Sequence, residues 1–467
     1  MRWMELPEYI PVFDIFEAIR EEEEAVLLDS SLCTPSRKQD GEGEREDGAV
    51  LGRYSIIGLR PYLSVKKEKD GFTVNGEKRE GSFEAYLSRY LKEHREENPT
   101  GLPIVSGAIG YFSYEYGREK DQVPTRHQGA GELPASILKF YDWFLVEDGW
   151  EKKVFLIANG KLCGEEESLR ELQRLAAKGK QGAFLPENRR EEEHADVSVR
   201  ANFTREEYEK AVEQMIRYIV EGDIYIANMT QTLQIESSRP PFEVYRRLRS
   251  ANPAPFGGYL DYGDFQVVMA SPERFLKVKE GHVTTRPIKG TRKRGETASE
   301  DWRMYRELQS SEKDKSELLM IVDLERNDLN KVCIPGSVKV TELFQVETYA
   351  TVFHLISNIE GDLEEGRTAM DLLDAAFPGG SITGAPKYRA MEIIDELERG
   401  KRGLYTGSVG YLALDGSADL NIVIRTAIHK DGAYTLGVGG GITCESDPEF
   451  EYEETLQKAK AILEALS

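Results

Sequence analysis

Hydrophobic and polar positions alternate with a period of two in several stretches of the N-terminal part of the chain. The clearest stretches are YLSVKKEKDGFTVNG around Thr73 and GAIGYFSYEYG around Tyr111, each bounded by glycine. This period places every second side chain on one face of a strand. The first 175 residues or so are therefore predicted to be rich in strands.

A helical period replaces this alternation after Thr204. The segment TREEYEKAVEQMIRYIVEG has Thr204 as a helix N-cap, Glu206 and Glu207 in the first turn and Gly222 as a stop. These residues satisfy the free N–H groups and the dipole at the start of a helix. The segment is therefore predicted to be an amphipathic helix.

The rest of the chain repeats an order of strands and helices. Strand-like runs come first, in IYIANMTQTLQI, FGGYLDYGDFQVVMASPERFLKV and HVTTRPIKGT, and a helical stretch follows from about Glu300 to Leu329. A helix is then expected from about Ala385 to Glu398, before the strands GSVGYLALD, NIVIRTAIHK and AYTLGVGGGIT and a last helix from about Pro448.

Two charged segments interrupt the periodic pattern. The stretch from Ser36 to Gly48 is predicted to be a surface loop, and the stretch from Ala176 to Arg200 a surface linker. We therefore expect two lobes that share one extended core, with residues 1–185 in the first and 200–467 in the second.

Composition and charge narrow the class of protein. Of the 467 residues 40% are hydrophobic and 31% are charged, which suits a globular enzyme with a packed interior. The formal net charge of -22, with no basic stretch to offset it, disfavours nucleic acid and anionic membranes as partners. Small anionic substrates stay compatible, because salt screens distant charges.

The cysteines and apolar runs indicate a soluble protein of the cytoplasm. Cys33, Cys163, Cys333 and Cys444 have neither the spacing of a metal site nor that of a disulfide framework. No run of about 20 apolar residues is long enough to cross a bilayer. Reduced thiols and a cytoplasmic location are the expectation.

One candidate chemical cluster combines an acid with an amine. Glu273 in SPER and Lys289 in RPIKGT fall at the ends of two neighbouring strands, where proline and glycine end the hydrogen-bond ladder. Surface charges explain such residues about twice as often when nothing else is known. Lys289 becomes a nucleophile only if desolvation or nearby cations favour its neutral amine, and the candidate cations are Arg286, Arg292 and Arg294.

Two acidic pairs form a second candidate cluster. Asp314 with Glu317, and Glu451 with Glu454, are each three residues apart and so lie on one face of a helix turn. If the two helices approach each other, their carboxylates can share a hard cation such as Mg²⁺. Taken alone, a solvated face with Glu454 paired to Lys458 is favoured by roughly three to one.

Two glycine-rich segments offer backbone N–H groups to an anion. The first, FPGGSITGAPK from Phe377 to Lys387, is predicted to be a flexible loop leading into a helix. Ala-Pro separates Gly384 from Lys387, so this segment does not match the phosphate loop of nucleotide triphosphate enzymes. The second is Gly439–Gly441, for which a plain glycine turn is the commoner explanation.

Long motifs in a fixed order carry a resemblance to a known family. They are SPERF, TRPIKGTR, ELLMIVDLERNDL, HLISNIEG, FPGGSITGAPK, YTGSVGY, IVIRT, GGGI and EYEET. In these motifs the chain resembles the chorismate-using synthases, a family that includes aminodeoxychorismate synthase and anthranilate synthase. The resemblance covers about 202–466, and LLDSS with GRYSIIG extends it to members with an amino-terminal regulatory lobe, here 1–185. It implies an anthranilate-synthase-like α+β fold, with two large antiparallel sheets flanked by helices and the active site in the central cleft.

The resemblance also implies roles for single residues. It makes Glu317 and Glu454 ligands of Mg²⁺, with Asp314 and Glu451 as supporting carboxylates, and thereby overturns the interpretation as a solvated face. It assigns the enolpyruvyl carboxylate to Arg425 and Tyr405 with backbone at Gly439 and Gly441, the substrate loop to Thr383 and Ala385, the active-site histidine to His354, and the acid that protonates the C4 hydroxyl to Glu273.

The motif PIKGT resembles aminodeoxychorismate synthases, whereas anthranilate synthases usually have a small residue in place of Lys289. The implied activity is the conversion of chorismate and ammonia to 4-amino-4-deoxychorismate, for para-aminobenzoate and folate. The alternative is the anthranilate synthase reaction of tryptophan biosynthesis, in which ammonia adds at C2. A catalytically silent chorismate-binding subunit is a third hypothesis, because motifs identify a site and not turnover.

Three further expectations come from the resemblance. Ile226 occupies a position where amine-using members usually have Gln and water-using members a Lys base, which argues against isochorismate or salicylate synthesis. The sequence has no glutaminase nucleophile in a GxCxGxQ-like setting, so ammonia is expected from a separate glutamine amidotransferase subunit. Ser30 and Pro253 fall in segments that resemble a tryptophan pocket, for which an ordinary strand end and turn is an equally good explanation.

Overall fold

The computed structural model describes residues 1–22, 24–32, 51–127, 133–182, 195–349 and 352–467. Its helices are α1 Val12–Ile19, α2 Phe83–Glu93, α3 Tyr114–Lys120, α4 Glu165–Gly182, α5 Arg205–Val220, α6 Pro241–Ala251, α7 Ala298–Ser310, α8 Glu312–Leu329, α9 Ala369–Ala376, α10 Lys387–Leu397 and α11 Pro448–Leu466.

The strands are β1 Arg2–Glu5, β2 Val26–Asp29, β3 Tyr54–Glu68, β4 Gly71–Val74, β5 Glu77–Arg79, β6 Gly107–Phe112, β7 Ser136–Asp148, β8 Lys153–Ala158, β9 Ser198–Ala201, β10 Ile226–Glu236, β11 Phe256–Asp261, β12 Phe265–Ser271, β13 Arg274–Lys279, β14 His282–Arg286, β15 Ile288–Lys293, β16 Lys339–Thr348, β17 Val352–Asp362, β18 Gly384–Ala385, β19 Ser408–Ala413, β20 Ala418–Asn421, β21 Thr426–Lys430 and β22 Ala433–Ile442. The predicted α+β class is confirmed.

The strands form two large antiparallel sheets. In the first, the order is β9, β10, β22, β21, β12, β11, β2, β3, β7, β8 and β1, with β18 also on β10. In the second it is β5, β4, β3, β7, β6, β19, β20, β13, β14 and β17, with β15 and β16 also on β17.

The long strands β3 and β7 belong to both sheets. They pair along almost their whole length, with a register shift between Pro61 and Leu63 where the ladder passes from one sheet to the other. On one side of the shift β7 pairs with β8, and on the other side with β6. The two sheets are therefore one continuous hydrogen-bonded ladder.

Residues of the predicted first lobe interlock with those of the second. Strand β2 pairs with β11 and β6 pairs with β19, so ladders cross the expected boundary. The apolar clusters also draw from both parts, for example Leu138 with Phe275 in one and Trp143 with Leu436 in another. The division into functional lobes stays a prediction.

Three local predictions were wrong, and capping or packing explains each. The strand at Tyr111 ends at Phe112, because the Ser113 side chain caps α3. The stretch Glu300–Leu329 is two helices, since the Ser311 side chain caps α8. The predicted linker begins too early, because the stretch from residue 176 to Gly182 belongs to α4, with Ala176 buried in the core.

Several other predictions concern residues that lie partly outside the described ranges. The charged loop from Ser36 to Gly48 and most of the predicted linker lie there, as does Cys33. The other three cysteines are free thiols. Among the described residues, none of the helices combines the length and the apolar character needed to span a membrane.

Candidate active site

Three predicted site residues converge at the end of β22. A Cβ atom built at Gly441 would lie 3.5 Å from Nζ of Lys289 and 3.8 Å from Oε2 of Glu317. Cδ1 of Ile226 is 3.6 Å from the same point. These groups come from β15, α8 and β10, so this end of β22 is where elements distant in sequence bring an amine and a carboxylate together.

The acidic face of α11 reaches the neighbouring Gly440. Its built Cβ would lie 3.2 Å from Oε2 of Glu451 and 3.7 Å from Oε2 of Glu454. Nζ of Lys313 lies 4.0 Å from a carboxylate oxygen of Glu317 and 3.7 Å from one of Glu451, so it stands between α8 and α11. The two helices thus approach each other with their carboxylates facing, as the cation hypothesis requires.

Burial, more than the crowding of like charges, changes the protonation of this cluster. Burial raises the pKa of Glu317 to about 7; Lys289 and Lys313 oppose the rise, and Asp314 and Glu451 add to it.

Burial likewise raises the pKa of Glu451, against the 2.8 Å hydrogen bond donated by the Ser446 hydroxyl. Burial acts on Glu454 too, but the ion pair with Lys458 at 2.8 Å leaves its pKa lowered.

Asp314 stands apart from the other three carboxylates. It accepts a hydrogen bond from Arg292 at 3.1 Å and packs against Gly290, where a Cβ would lie 2.7 Å from the carboxyl carbon. Within the described ranges no group of three or more His, Cys, Asp or Glu side chains is arranged to hold a metal by itself. The Mg²⁺ assignment is therefore not shown by ready-made coordination geometry and stays a prediction.

Glu273 is a buried acid close to the amine. It lies in the tight connection between β12 and β13, where its backbone N–H faces the Ser271 hydroxyl at 3.3 Å. Burial raises the pKa of its carboxyl, and the neighbouring Ser381, Lys289 and Arg425 oppose the rise. A carboxyl with a raised pKa is suited to hold a proton and donate it.

Lys289 points into the cleft, and the arginines proposed as its cationic neighbours are engaged elsewhere. Its Nζ donates to the backbone carbonyl of Ser381 at 3.1 Å. The suggestion that the three arginines activate this amine was wrong, because each already has its own carboxylate partners. Those ion pairs are Arg286 with Glu342 and Glu347, Arg292 with Glu307 and Asp314, and Arg294 with Asp301.

His354 is held as a neutral imidazole. Burial, reinforced by the positive charge of Arg425, lowers its pKa to about 3. Its Nδ1 lies 2.9 Å from the hydroxyl of Thr291, its partner across β15 and β17. At neutral pH His354 therefore serves as a hydrogen-bonding group without charge.

The segment predicted to be a flexible substrate loop is buried instead. It contains a 3₁₀ turn, Gly380–Ile382, and then β18, where Ala385 pairs with Ile226. The Thr383 carbonyl accepts a hydrogen bond from the Asn228 N–H at 2.7 Å. Thr383 and Ala385 are thus fixed to β10 by backbone hydrogen bonds, which holds them next to the end of β22.

The predicted carboxylate-binding residues lie along β22 and the segment before β21. A Cβ at Gly437 would clash with the Tyr405 ring at 2.2 Å, so Tyr405 packs directly on this strand. A Cβ at Gly439 would lie 2.4 Å from the Met229 carbonyl oxygen, which only glycine permits. Gly439–Gly441 are strand, which confirms the predicted strand AYTLGVGGGIT, and the alternative explanation of these glycines as a turn was wrong.

Arg425 is a partly buried cation in a strained backbone conformation. Its φ of 49° lies in the left-handed region and breaks the predicted strand NIVIRTAIHK into β20 and β21. Burial lowers the pKa of its guanidinium, and Glu273 opposes the change. Arg425, Glu273 and His354 thus influence one another electrostatically from three different elements.

Sequence reasoning missed residues that hold the predicted ones in place. Lys313 neutralises part of the acidic cluster, and its position four residues before Glu317 on one helix face was a signal for this role. The Ser381 carbonyl binds Lys289, and this contact between distant segments has no local signal. Asn228 shares a strand face with Ile226, which the period of two could have shown.

The predicted tryptophan segments border a separate cavity of about 640 Å³. Ser30 lines it, and its hydroxyl donates to the carbonyl of Tyr54 at 2.7 Å or that of Pro255 at 3.0 Å. Pro253 is not among the lining residues, which in this segment begin at Pro255. Asp29, also at the cavity, accepts hydrogen bonds from Tyr245 and Arg249.

Relatives with known names resemble the chain over most of its length. Anthranilate synthase component 1 of Acetivibrio thermocellus is 38% identical over 90% of this chain and 88% of its own. Aminodeoxychorismate synthase component 1 of Bacillus subtilis is also 38% identical, over 90% of each. Most relatives of comparable similarity carry the anthranilate synthase name, so similarity favours the alternative prediction over the leading one.

A solved structure and a family model agree with these relatives. Anthranilate synthase component I from Streptococcus pneumoniae TIGR4 matches with a TM-score of 0.77 and 31% identity, over 93% of this chain and 98% of its own. The family model described as chorismate binding enzyme matches residues 44–464. The chain therefore belongs to the family of chorismate-binding enzymes.

Proposed function

We propose that this protein is the ammonia-using synthase subunit that aminates chorismate at C4 to give 4-amino-4-deoxychorismate. The observation that carries the proposal is the position of the Lys289 amine, which donates to the Ser381 carbonyl at 3.1 Å and lies near the Glu317 carboxylate at the end of β22. A buried acid, Glu273, is close enough for its pKa to be affected by Lys289. The site thus pairs a nucleophile with a proton donor.

In the proposed reaction the neutral Lys289 amine forms a bond to C2 of chorismate and loses one proton. The ring double bonds shift, the C4–O bond breaks, and Glu273 gives its proton to the departing hydroxyl, which leaves as water; the proton lost by the amine restores the acid form of Glu273. Ammonia then forms a bond to C4, the double bonds return, and the N–C2 bond breaks as the new C4 ammonium gives up the proton that Lys289 regains. The sum is chorismate plus ammonia giving 4-amino-4-deoxychorismate plus water.

Mg²⁺ is proposed as the cofactor because the donor set suits a hard cation. Glu317, Glu451 and Glu454 offer carboxylate oxygens from two facing helices, and waters can complete the shell that Mg²⁺ prefers. Burial raises the pKa of Glu317, and Lys289 and Lys313 only partly oppose the rise, so a bound cation would favour the charged carboxylate. A bound Mg²⁺ would supply positive charge for a substrate carboxylate, and the carboxylates themselves would hold it against the end of β22.

The chain's own residues then bind the rest of the substrate. Arg425 offers a guanidinium to the enolpyruvyl carboxylate, and Tyr405 offers a phenol that burial keeps protonated by raising its pKa. Gly439 and Gly441 present backbone without side chains in the way. The neutral imidazole of His354 contributes hydrogen bonding without adding charge.

A second candidate is amination at C2, the start of anthranilate formation. The names of most of the similar relatives favour it. We prefer amination at C4 because this chain itself has the amine of Lys289 at the site. An amine nucleophile is not needed when ammonia attacks C2 directly.

Product identification separates the candidates. The protein is incubated with chorismate, Mg²⁺ and an ammonium salt at alkaline pH, and the products are separated by chromatography with mass detection. C4 amination predicts 4-amino-4-deoxychorismate and no fluorescent anthranilate. Anthranilate formed without an added lyase contradicts the C4 proposal, and chorismate bound without consumption supports a silent subunit.

The proposed partner is a glutamine amidotransferase, because the sequence provides no glutaminase nucleophile. Glutamine is expected to support activity only after that subunit is added, whereas ammonium salts bypass it. Hydrolysis of glutamine by the isolated chain would show the two-subunit proposal to be wrong.

Tryptophan is proposed as a ligand of the cavity lined by Ser30. The volume of about 640 Å³ is in the range of small-molecule sites, and the lining includes the acid Asp29 and apolar Met269. Calorimetry is expected to show heat of tryptophan binding that is lost on filling the cavity with Ser30→Trp. The absence of binding at millimolar tryptophan would remove the proposal.

A further inference from the structure

Asn228, on the strand paired with the end of β22, carries a buried polar atom without a hydrogen-bond partner among the described residues. This atom is its side-chain oxygen, Oδ1, and the residue is only 9% exposed. An unpaired buried acceptor is costly, by about 1–3 kcal/mol, and calls for an explanation. A bound ligand that donates a hydrogen bond to Oδ1 would explain it.

The strand pairing shows where this side chain points. Asn228 lies opposite Gly441 in the antiparallel pair of β10 and β22, so both face the same side of the sheet. The next pair on that face, Thr230 and Gly439, shows that opposite residues face the same side, since a Cβ built at Gly439 would lie 2.5 Å from the Thr230 side chain. The Asn228 amide therefore stands on the face where the Lys289 amine approaches Gly441.

Asn228 is also held firmly in place. Its N–H donates to the Thr383 carbonyl at 2.7 Å, and its carbonyl accepts from Arg402 at 2.7 Å. Thr383 lies in the predicted substrate segment, and Arg402 also donates to the carbonyl of Ile382 in that segment. The backbone that carries the amide is therefore fixed in advance, which lowers the ordering cost when a ligand arrives.

Resting on the proposed function, we propose that Asn228 binds the ammonia that attacks chorismate, by accepting an N–H hydrogen bond on Oδ1. Ammonia needs its lone pair free for attack, so the protein group that holds it must accept rather than donate. Ile226, the side chain of this face whose Cδ1 lies 3.6 Å from a Cβ built at Gly441, is apolar and offers nothing to ammonia.

A neutral acceptor also favours the reactive form of the nucleophile. A carboxylate at this place would pair with ammonium and keep it protonated, which removes the lone pair. An amide oxygen carries no charge and gives ammonium no such advantage. Asn228 is thus a specificity-determining residue for neutral ammonia, supplied either by a salt or by the partner subunit.

The test compares two leucine variants on the same strand. Asn228→Leu is expected to raise KM for ammonia about tenfold, as the loss of one hydrogen bond predicts, with KM for chorismate changed less than twofold. Gln231→Leu is the matched control, because its Oε1 is also buried and unpaired but faces the other side of β10. It is expected to leave both KM values unchanged.

An isosteric variant keeps the test valid if Asn228→Leu fails to fold. Asn228→Asp is expected to move the rise of activity with pH to higher pH, because the added charge retains ammonium. Unchanged KM for ammonia in Asn228→Leu, an equal rise in both KM values, or an unchanged pH profile in Asn228→Asp would each overturn the assignment. Amination by the wild type in the same assay separates these results from failure of the proposed function, which would show as no amination at all.

Discussion

Two buried groups of charges lie on either side of the β10 strand end, and they differ in how completely their charges are compensated. Arg402 and Glu398 are joined by hydrogen bonds of 2.9 and 2.7 Å. Arg402 also donates to the carbonyls of Ile382 and Asn228, and Glu398 accepts from the Thr230 N–H. Every charge in this pair has a partner within the protein.

The acidic cluster at the end of β22 is not compensated in this way. Glu317 and Glu451 have Lys313 only at 4.0 and 3.7 Å, and the pKa of Glu317 is raised to about 7. This difference in compensation distinguishes buried charges that stabilise the fold from buried charges that bind a ligand. A fully paired group holds the fold together, whereas a group left partly unpaired awaits a ligand.

The largest effect is expected where compensation is complete. Arg402→Ala leaves Glu398 buried without its cation, so the free energy of unfolding should fall by about 3–5 kcal/mol. Urea unfolding followed by fluorescence measures the change. Arg389→Ala, which breaks the more exposed ion pair with Asp223, is the control and should cost less than about 1 kcal/mol. Equal effects would contradict the structural role of Arg402.

The acidic cluster should show the reverse pattern. Glu317→Gln and Glu454→Gln remove one charged ligand of a hard cation, so the Mg²⁺ concentration for half activity should rise about tenfold or more and turnover should slow. Glu317→Gln should change the free energy of unfolding little, because Glu317 is buried with its nearest ion-pair partner 4.0 Å away, and Glu454→Gln should lower it by at most about 1 kcal/mol through loss of the ion pair with Lys458. Kinetics over a Mg²⁺ series, beside urea unfolding, test this, and unchanged Mg²⁺ dependence in both variants would mean a merely solvated face.

Glu325 illustrates a third way to bury a carboxyl, which is to keep its proton. The Thr285 hydroxyl lies 2.6 Å from the Phe275 carbonyl and 2.9 Å from Glu325. Its single hydrogen is taken by the carbonyl, so the contact with Glu325 requires a proton on the carboxyl. Burial, with the nearby charge of Glu273 as a smaller contribution, raises the pKa of Glu325 to about 8.

A pH series on Glu325→Gln tests this protonation. The folded pKa lies above the unfolded value, so in the wild type stability falls as pH rises from about 4.5 to 8. Glutamine abolishes that loss, and the variant should gain about 3 kcal/mol more relative to wild type at pH 8 than at pH 5.5. Asp323→Asn, an exposed site on the same helix, should show no such trend. A constant difference across pH would contradict a protonated Glu325.

Local sequence signals predicted much of the fold and the acidic pairs. The capping box of Thr204 and Glu207 marked the start of α5, and the spacing of Glu451 and Glu454 marked one face of α11. These features depend on residues within one or two turns. They can therefore be recognised before the tertiary structure is known.

Features that depend on contacts between distant segments could not be predicted in this way. The passage of β3 and β7 between two sheets, the engagement of Arg286 by Glu342, and the hold of Ser381 on Lys289 each join residues far apart in sequence. The glycines of β22 suggested a turn as an alternative to strand because a close approach of side chains demands glycine as strictly as a turn does.

The proposal of C4 amination is tested most directly by Lys289→Ala, assayed for 4-amino-4-deoxychorismate with saturating chorismate, Mg²⁺ and ammonia. Because the first displacement needs this amine, the C4 amination rate should fall much more than the affinity for chorismate or Mg²⁺. With Lys289 retained, the Glu273→Gln variant should accumulate the adduct, seen as added mass on the peptide that contains Lys289. A Lys289→Ala enzyme with near-normal amination at C4 would contradict the covalent role of Lys289.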